Sequence, residues 1–180
     1  MIFITLWNRF QWKTTVLTPS PALKEPFSVR RARIEEKEAV EQVALLSLKM
    51  NTEWHDATTI ASSYIHEGIQ QSFSNSEEPA CLVIAHGQRI IGVSMLDIRP
   101  EAPYHLLSGP WVLMEYRNRG FGGALLYASL QELSRCGITE AYGVTRKNTV
   151  SARFVYSKFG GIMGDSVSPV AFSEEGKNNK

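Results

Sequence analysis

A mixed α/β sheet of about six to seven strands, with helices on both faces, is the fold class predicted by three observations. Strand-like and helix-like runs alternate through the middle of the 180-residue chain. A hairpin signal precedes them: Cys81-Leu82-Val83-Ile84-Ala85, the turn His86-Gly87-Gln88, and Ile90 to Ile98. A glycine-rich turn, Arg117 to Leu125, then joins the β-favouring run Trp111-Val112-Leu113-Met114 to a helical run. In the latter, Leu126, Leu130 and Leu133 recur at i, i+4 and i+7. Strands that alternate with helices need cover on both faces of their sheet.

The elements follow in order. Residues 1–26 form an N-terminal extension in which Met1 to Trp7 is apolar, short and without a basic lead-in, so a secretory signal is not expected. Trp7, Phe10 and Trp12, with prolines at 19, 21 and 26, favour docking over disorder, as an edge strand on the core or a homodimer contact. The main domain spans 27–172, and 173–180 is a polar tail. Ser28 to Arg33 reads as a strand, and Ile34 opens a helix presenting Val40, Val43, Leu46 and Met50 to the sheet. Asp56 is a candidate N-cap for a second helix from Ala57 towards Gln71.

After the hairpin, Tyr104 to Leu113 is a strand interrupted at Gly109-Pro110, because proline cannot donate to a ladder. The glycine-turn helix runs to about Ser134, with Gly137 at C′. Ile138 to Thr145 is a strand, and a helix beginning near Asn148 or Thr149 buries Ala152, Val155 and Phe159 before stopping at Gly160-Gly161. Ile162 to Phe172 supplies two short closing strands.

Composition excludes several classes. With 43% hydrophobic and 21% charged residues and a net charge of +1, the chain is an ordinary globular protein. Neither a nucleic-acid nor a membrane partner is expected, and the cytoplasm is the default location. Cys81 and Cys136 have no zinc spacing and no disulfide framework, so they read as reduced thiols and no metal is expected.

The chemistry starts at the glycines. Between a strand and a helix they let successive N–H groups point into one concavity, and the helix adds its unpaired amides and positive dipole end. Arg117 and Arg119 add charge for a polyanion. A nucleotide P-loop is excluded, because Gly122-Gly123-Ala124 lacks the Lys and hydroxyl that hold phosphate and magnesium. A dinucleotide fingerprint is excluded because Leu125 stands where its third glycine belongs. Arg-x-x-Gly-x-Gly does fit, at Arg117, Gly120 and Gly122.

On that motif the sequence resembles the GNAT superfamily of acetyl-CoA-dependent N-acyltransferases. Asn148, Ala152, Tyr156 and Gly160, with Lys158, resemble the family's next segment. Asn148 and Tyr156 stand one residue further apart than is usual there, and Gly161 replaces an aromatic residue.

The resemblance implies that the loop amides of Arg117, Asn118, Arg119, Gly120, Phe121, Gly122 and Gly123 hold the coenzyme pyrophosphate. It places the pantetheine arm along a bulged strand at Pro110, Trp111 and Val112, with Asn148 and Tyr156 completing the cofactor contacts. Gly109-Pro110 also fits a plain sheet edge, and Trp111 a plain core residue.

Acetyl transfer from acetyl-CoA to a primary amine passes through a tetrahedral intermediate, and the leaving thiolate needs a proton. Tyr156 is the candidate acid, since a phenol of pKa about 10 stays protonated beside a thiol of about 8.5. Backbone N–H near Val112 or Leu113 would meet the oxyanion. Many family members carry a glutamate where this chain has Gly143, so the base is unassigned among Asp97, Glu115, His55 and Glu53. Trp54, His55, Tyr64 and the region of Asp165 are expected to shape the acceptor pocket, for a small-molecule amine or a peptide or protein amino terminus. A non-catalytic acyl-CoA sensor is the alternative.

Overall fold

The computed structural model describes residues 7–74 and 77–167. Expectations for Met1 to Leu6, for the second closing strand towards Phe172 and for the tail lie outside the described residues.

Seven strands form one sheet: β1 (Trp7–Lys13), β2 (Phe27–Arg31), β3 (Cys81–His86), β4 (Arg89–Leu96), β5 (Leu106–Val112), β6 (Glu140–Arg146) and β7 (Ile162–Val167). Three α-helices accompany them: α1 (Lys37–Lys49), α2 (Thr58–Ser72) and α3 (Phe121–Arg135). The strand order is β2-β3-β4-β5-β6-β1-β7. Every neighbouring pair is antiparallel except β5 and β6, which run parallel and meet only at Leu106 and Gly143. A mixed sheet with helices on both faces is therefore observed.

Side-chain alternation divides the core. Leu82 and Ile84 of β3 join Leu125, Leu126 and Leu130 of α3 on one face. Cys81 and Val83 join Val40, Ala44 and Leu48 of α1 and Ile65 and Ile69 of α2 on the other. Burial pushes the Cys81 thiol up to about 12. No helix among the described residues is long and apolar enough to cross a membrane.

The amino-terminal strand departs most from expectation. β1 is not an edge strand: it is inserted between β6 and β7, pairing Trp7 through Lys13 with Arg146 through Glu140 on one side and with β7 on the other. Its alternation explains the insertion. Phe10 and Trp12 point into the α3-side core, while Trp7 joins the opposite one. The Trp12 indole donates to the Lys158 carbonyl at 3.1 Å. It also occupies the space beside Gly161, where an added Cβ would stand 2.6 Å from its Nε1 and 1.9 Å from the Tyr156 oxygen. A side chain at position 161 would therefore clash with the Tyr156 backbone and the Trp12 indole.

Helix details are corrected too. The buried positions of α1 are Val40, Ala44, Ser47 and Leu48, whereas Leu46 and Met50 are exposed. At about 100° per residue the observed set clusters on one stripe, while Leu46 and Met50 drift towards its back. Asp56 does not cap α2, because residues 52–57 form a 3-10 helix leading directly into Thr58, and its carboxylate pairs with Arg146 instead. The segment before Tyr156 is one π-helical turn, Ser151–Val155, rather than a full helix.

Trp12 has no exposed surface. Trp12→Ala should lower unfolding free energy by about 3–5 kcal/mol, read as a fall in the denaturant midpoint. A loss below about 1 kcal/mol would place the strand outside the cooperative core.

Candidate coenzyme and acceptor site

The glycine loop follows a short turn after β5. Asn118 and Gly120 take left-handed φ values of 60° and 83°, a region that a short polar side chain or glycine adopts at least cost. Gly120 is the N-cap of α3, whose first recorded loop-to-helix bond is Ala124 N–H to the Gly120 carbonyl at 3.0 Å. The amides of the first turn consequently have no intrahelical acceptors. Beneath the loop, Tyr116 shares a 2.8 Å hydrogen bond with His86 Nδ1, and Phe27 packs on Phe121 with ring centroids 4.8 Å apart.

In front of this loop lies a groove of about 490 Å³. Pro110, Trp111, Val112, Arg117, Asn118, Gly120, Phe121, Gly122 and Gly123 all line it. A side chain at Gly123 would fill the cradle, since an added Cβ would come within 3.1 Å of Lys158 Nζ. Lys158 lines both this groove and a second hollow of about 590 Å³ across the helix terminus, where Lys24 and Arg119 also contribute. The residues present thus fit a phosphate-bearing ligand: orphan amides and a helix N-terminus face the groove with Lys158, and Lys24 and Arg119 line the adjoining hollow.

The two loop arginines differ in role. Arg117 donates from Nε to the Val112 carbonyl at 3.1 Å and from Nη2 to the Ser47 carbonyl at 2.7 Å, and burial lowers its pKa. It ties the end of β5 to α1. Arg119 lies over the Tyr116 ring, 5.7 Å from its centroid. Asn148 is an exposed, left-handed turn residue that lines neither the groove nor the aromatic cavity beside Tyr156.

Beside the groove, β5 bulges. Val93 pairs with Trp111 and Met95 with Ser108, so Gly109 and Pro110 stand opposite Ser94 alone. Gly109 has φ 103°, and an added Cβ would approach the Val93 carbonyl oxygen to 2.7 Å. The bulge coincides with the separation of β5 from β6, which have no pair beyond Leu106 and Gly143. Leu113 N–H is already donated to the Ile91 carbonyl at 2.9 Å, so it is not free for an oxyanion.

Tyr156 sits behind the split. Its hydroxyl donates to the Gly109 carbonyl at 2.6 Å, and Phe10 and Trp12 of β1 pack edge-on against its ring at 5.4 and 5.3 Å. Burial alone drives its pKa upward. The ring also lines a cavity of about 40 Å³ walled by Trp7, Trp54, Tyr64 and Trp111. Trp7 meets Trp54 and Tyr64 at 5.4 Å each, and Trp54 meets Trp111 at 5.6 Å. Groove and cavity share Pro110, Trp111 and Ser151 as a common wall.

The carboxylates considered as bases are engaged elsewhere. Asp97 is buried against Arg99 at 2.5 Å, and Glu115 is exposed and paired with Arg89 at 2.9 Å, with its own backbone N–H and Arg89 lowering its pKa. Glu53 lines the groove and accepts the Val150 N–H at 3.1 Å, while His55 and Asp165 are exposed and line neither space. Gly143 is closely packed: an added Cβ would meet the Leu106 side chain at 3.1 Å and the Trp12 ring at 3.3 Å, so a larger residue there needs both to shift. Sequence reasoning missed Trp7 as a wall of the cavity, because its role depends on where β1 pairs.

Two predictions follow from this geometry. Arg117→Ala should cost about 1.5–3 kcal/mol of stability, the worth of hydrogen bonds to a charged donor, measured by denaturant unfolding. Tyr64 is raised to about 12 by burial, and Tyr156 is raised likewise. Both folded values exceed the unfolded value of about 10. Their contribution is therefore complete below that pH and is lost as pH rises through the folded values. Unfolding midpoints at pH 8 and 11 should converge in a Tyr64→Phe/Tyr156→Phe variant relative to wild type.

A family model described as Acetyltransferase (GNAT) family matches residues 42–160. The fold is similar to a GCN5-related N-acetyltransferase from Sphaerobacter thermophilus at TM-score 0.62 and 15% identity, covering 91% of this chain and 50% of that one. An acetyltransferase from the GNAT family of Colwellia psychrerythraea gives 0.60 and 16%, covering 89% and 53%. A GCN5-related N-acetyltransferase from Kribbella flavida gives 0.56 and 14%, covering 91% and 56%. The chain spans about half the length of these structures. No curated protein matches it in sequence. The matched region contains the glycine loop and the bulged strand, and the chain belongs to the acetyltransferase (GNAT) family.

Proposed function

We propose that the protein transfers an acetyl group from acetyl-CoA to a primary amine. The observation that carries this reading is the shared wall of Pro110, Trp111 and Ser151: a phosphate-suited groove lies on one side and an aromatic cavity, lined by Tyr156, on the other. Acetyl-CoA supplies the thioester. The amides of Phe121, Gly122 and Gly123 with Lys158 hold its pyrophosphate, Lys24 and Arg119 attract the nucleotide end, and Pro110 to Val112 guide the pantetheine arm.

The amine nitrogen attacks the thioester carbonyl, the N–C bond forms, the C–S bond breaks, and one proton passes from nitrogen to sulfur. Tyr156 manages that proton. Its hydroxyl is held by the Gly109 carbonyl at 2.6 Å, and its raised pKa keeps it a donor at any physiological pH. The cavity wall orients the amine, and the closed packing of Phe10 and Trp12 on the phenol excludes water from its far side.

Calorimetric titration with acetyl-CoA, then thiol release over a panel of amines, tests the reading. Tyr156→Phe should reduce kcat by about 10²–10⁴ with coenzyme affinity kept, and a loss under about threefold removes the acid assignment. Gly122→Asp should abolish coenzyme binding by placing a carboxylate where phosphate belongs, although its Cβ itself would meet only Val155 at 3.5 Å. Unchanged affinity in that variant would refute the loop assignment, and binding without turnover would favour a sensor.

A further inference from the structure

We propose that the acceptor is a primary monoamine on an unbranched methylene, with an uncharged alkyl or aryl body, and that it enters the aromatic cavity as the free base. This rests on the acetyl-transfer reading above and narrows it. Among the described residues the cavity is walled by three indoles, two phenols and aliphatic or small side chains, with no carboxylate and no Lys or Arg. A polyamine would find no counter-charge there for its second ammonium, and an amino acid no partner for its carboxylate; both would go in at the full cost of desolvation. The free space of about 40 Å³ is a slot, so the carbon bearing the nitrogen must be unhindered and the body must stack on the indoles towards the mouth. Peptide amino termini, branched at that carbon, are excluded on the same ground.

The charge state follows from the same walls. Tyr64 and Tyr156 are the titratable groups lining the cavity, and both are held protonated. Charged groups on the surrounding elements are engaged or turned outward. Asp56 is locked to Arg146 at 2.6 Å, Glu53 accepts the Val150 N–H, Glu67 is exposed on α2 and acts on Tyr64 through its charge without lining the cavity, and Arg9 of β1 lies over Tyr142 at 4.0 Å. The Trp7 indole N–H is buried without a hydrogen-bond partner among the described residues. Being a donor only, it can meet an oxygen on the acceptor's body but not an ammonium. Burial in such walls favours the neutral amine, so the absence of a carboxylate at Gly143 leaves deprotonation to solvent before entry.

The test uses the whole protein with acetyl-CoA and measures thiol release for 2-phenylethylamine, n-hexylamine, 1-phenylethylamine, spermidine and an alanine tripeptide amide. The two unbranched monoamines should exceed the other three at least tenfold in kcat/KM. Their kcat/KM should rise about tenfold per pH unit towards each amine's own pKa, and a fluorinated ethylamine of lower pKa should shift the profile down in pH. Trp54→Leu should raise KM for 2-phenylethylamine at least tenfold and leave acetyl-CoA affinity unchanged. Preference for spermidine, the tripeptide or the branched amine, or a pH limb fixed regardless of amine, overturns this inference while acetyl transfer stands. No thiol release with any amine overturns the acetyl-transfer reading itself.

Discussion

The antiparallel seating of β1 between β6 and β7 is the constraint on which the candidate site depends. Without it, Tyr156 would lose both aromatic rings that hold it edge-on, the aromatic cavity would lose its Trp7 wall, and the hollow beside Gly161 would stand open. A hydrophobic strand alternating between two cores is a strong determinant of register, because a slip by one residue would turn Phe10 and Trp12 towards the wrong helices. The candidate proton donor is thereby positioned by packing rather than by a hydrogen-bond network, its hydroxyl having the Gly109 carbonyl as partner.

The second organising feature is the incomplete parallel pairing of β5 and β6. A bulge at Gly109-Pro110 bends β5 where the two strands part, and Pro110 and Trp111 there line both groove and cavity. The rim is braced at a distance by Arg117 reaching Ser47 and by Arg146 reaching Asp56. The hydrogen bonds of these cations serve the architecture, which leaves Lys158 in the phosphate-suited groove and Lys24 and Arg119 in the adjoining hollow.

Much of this was legible in the residues. The hairpin showed through its turn, and the strand-to-helix glycine loop through spacing that excluded two other phosphate motifs. Tyr156 showed through its place in a second matching segment. What was hidden is non-local. Trp7, Phe10 and Trp12 carry a clear docking signal, but no local pattern says that their partners are Arg146 to Glu140 on one side and Ile162 to Val167 on the other. Asp56 looks like a helix cap because local propensity favours it, and a bidentate arginine from another strand overrides that preference. Arg117 looks like a phosphate ligand for the same reason, since charge in a glycine loop says nothing of the carbonyls within reach.

The insertion of β1 also bears on how the chain reaches its native state. The bond from Trp12 to Lys158 joins residues 146 apart in sequence. The loop entropy of such a contact must be met before the pairing yields any stabilisation, which slows topologies of this kind. During vectorial synthesis residues 7–13 emerge well before β6 and β7 and have no place to dock until both flanking strands have left the ribosome. For that interval an apolar strand with three exposed large rings is a natural client for chaperones.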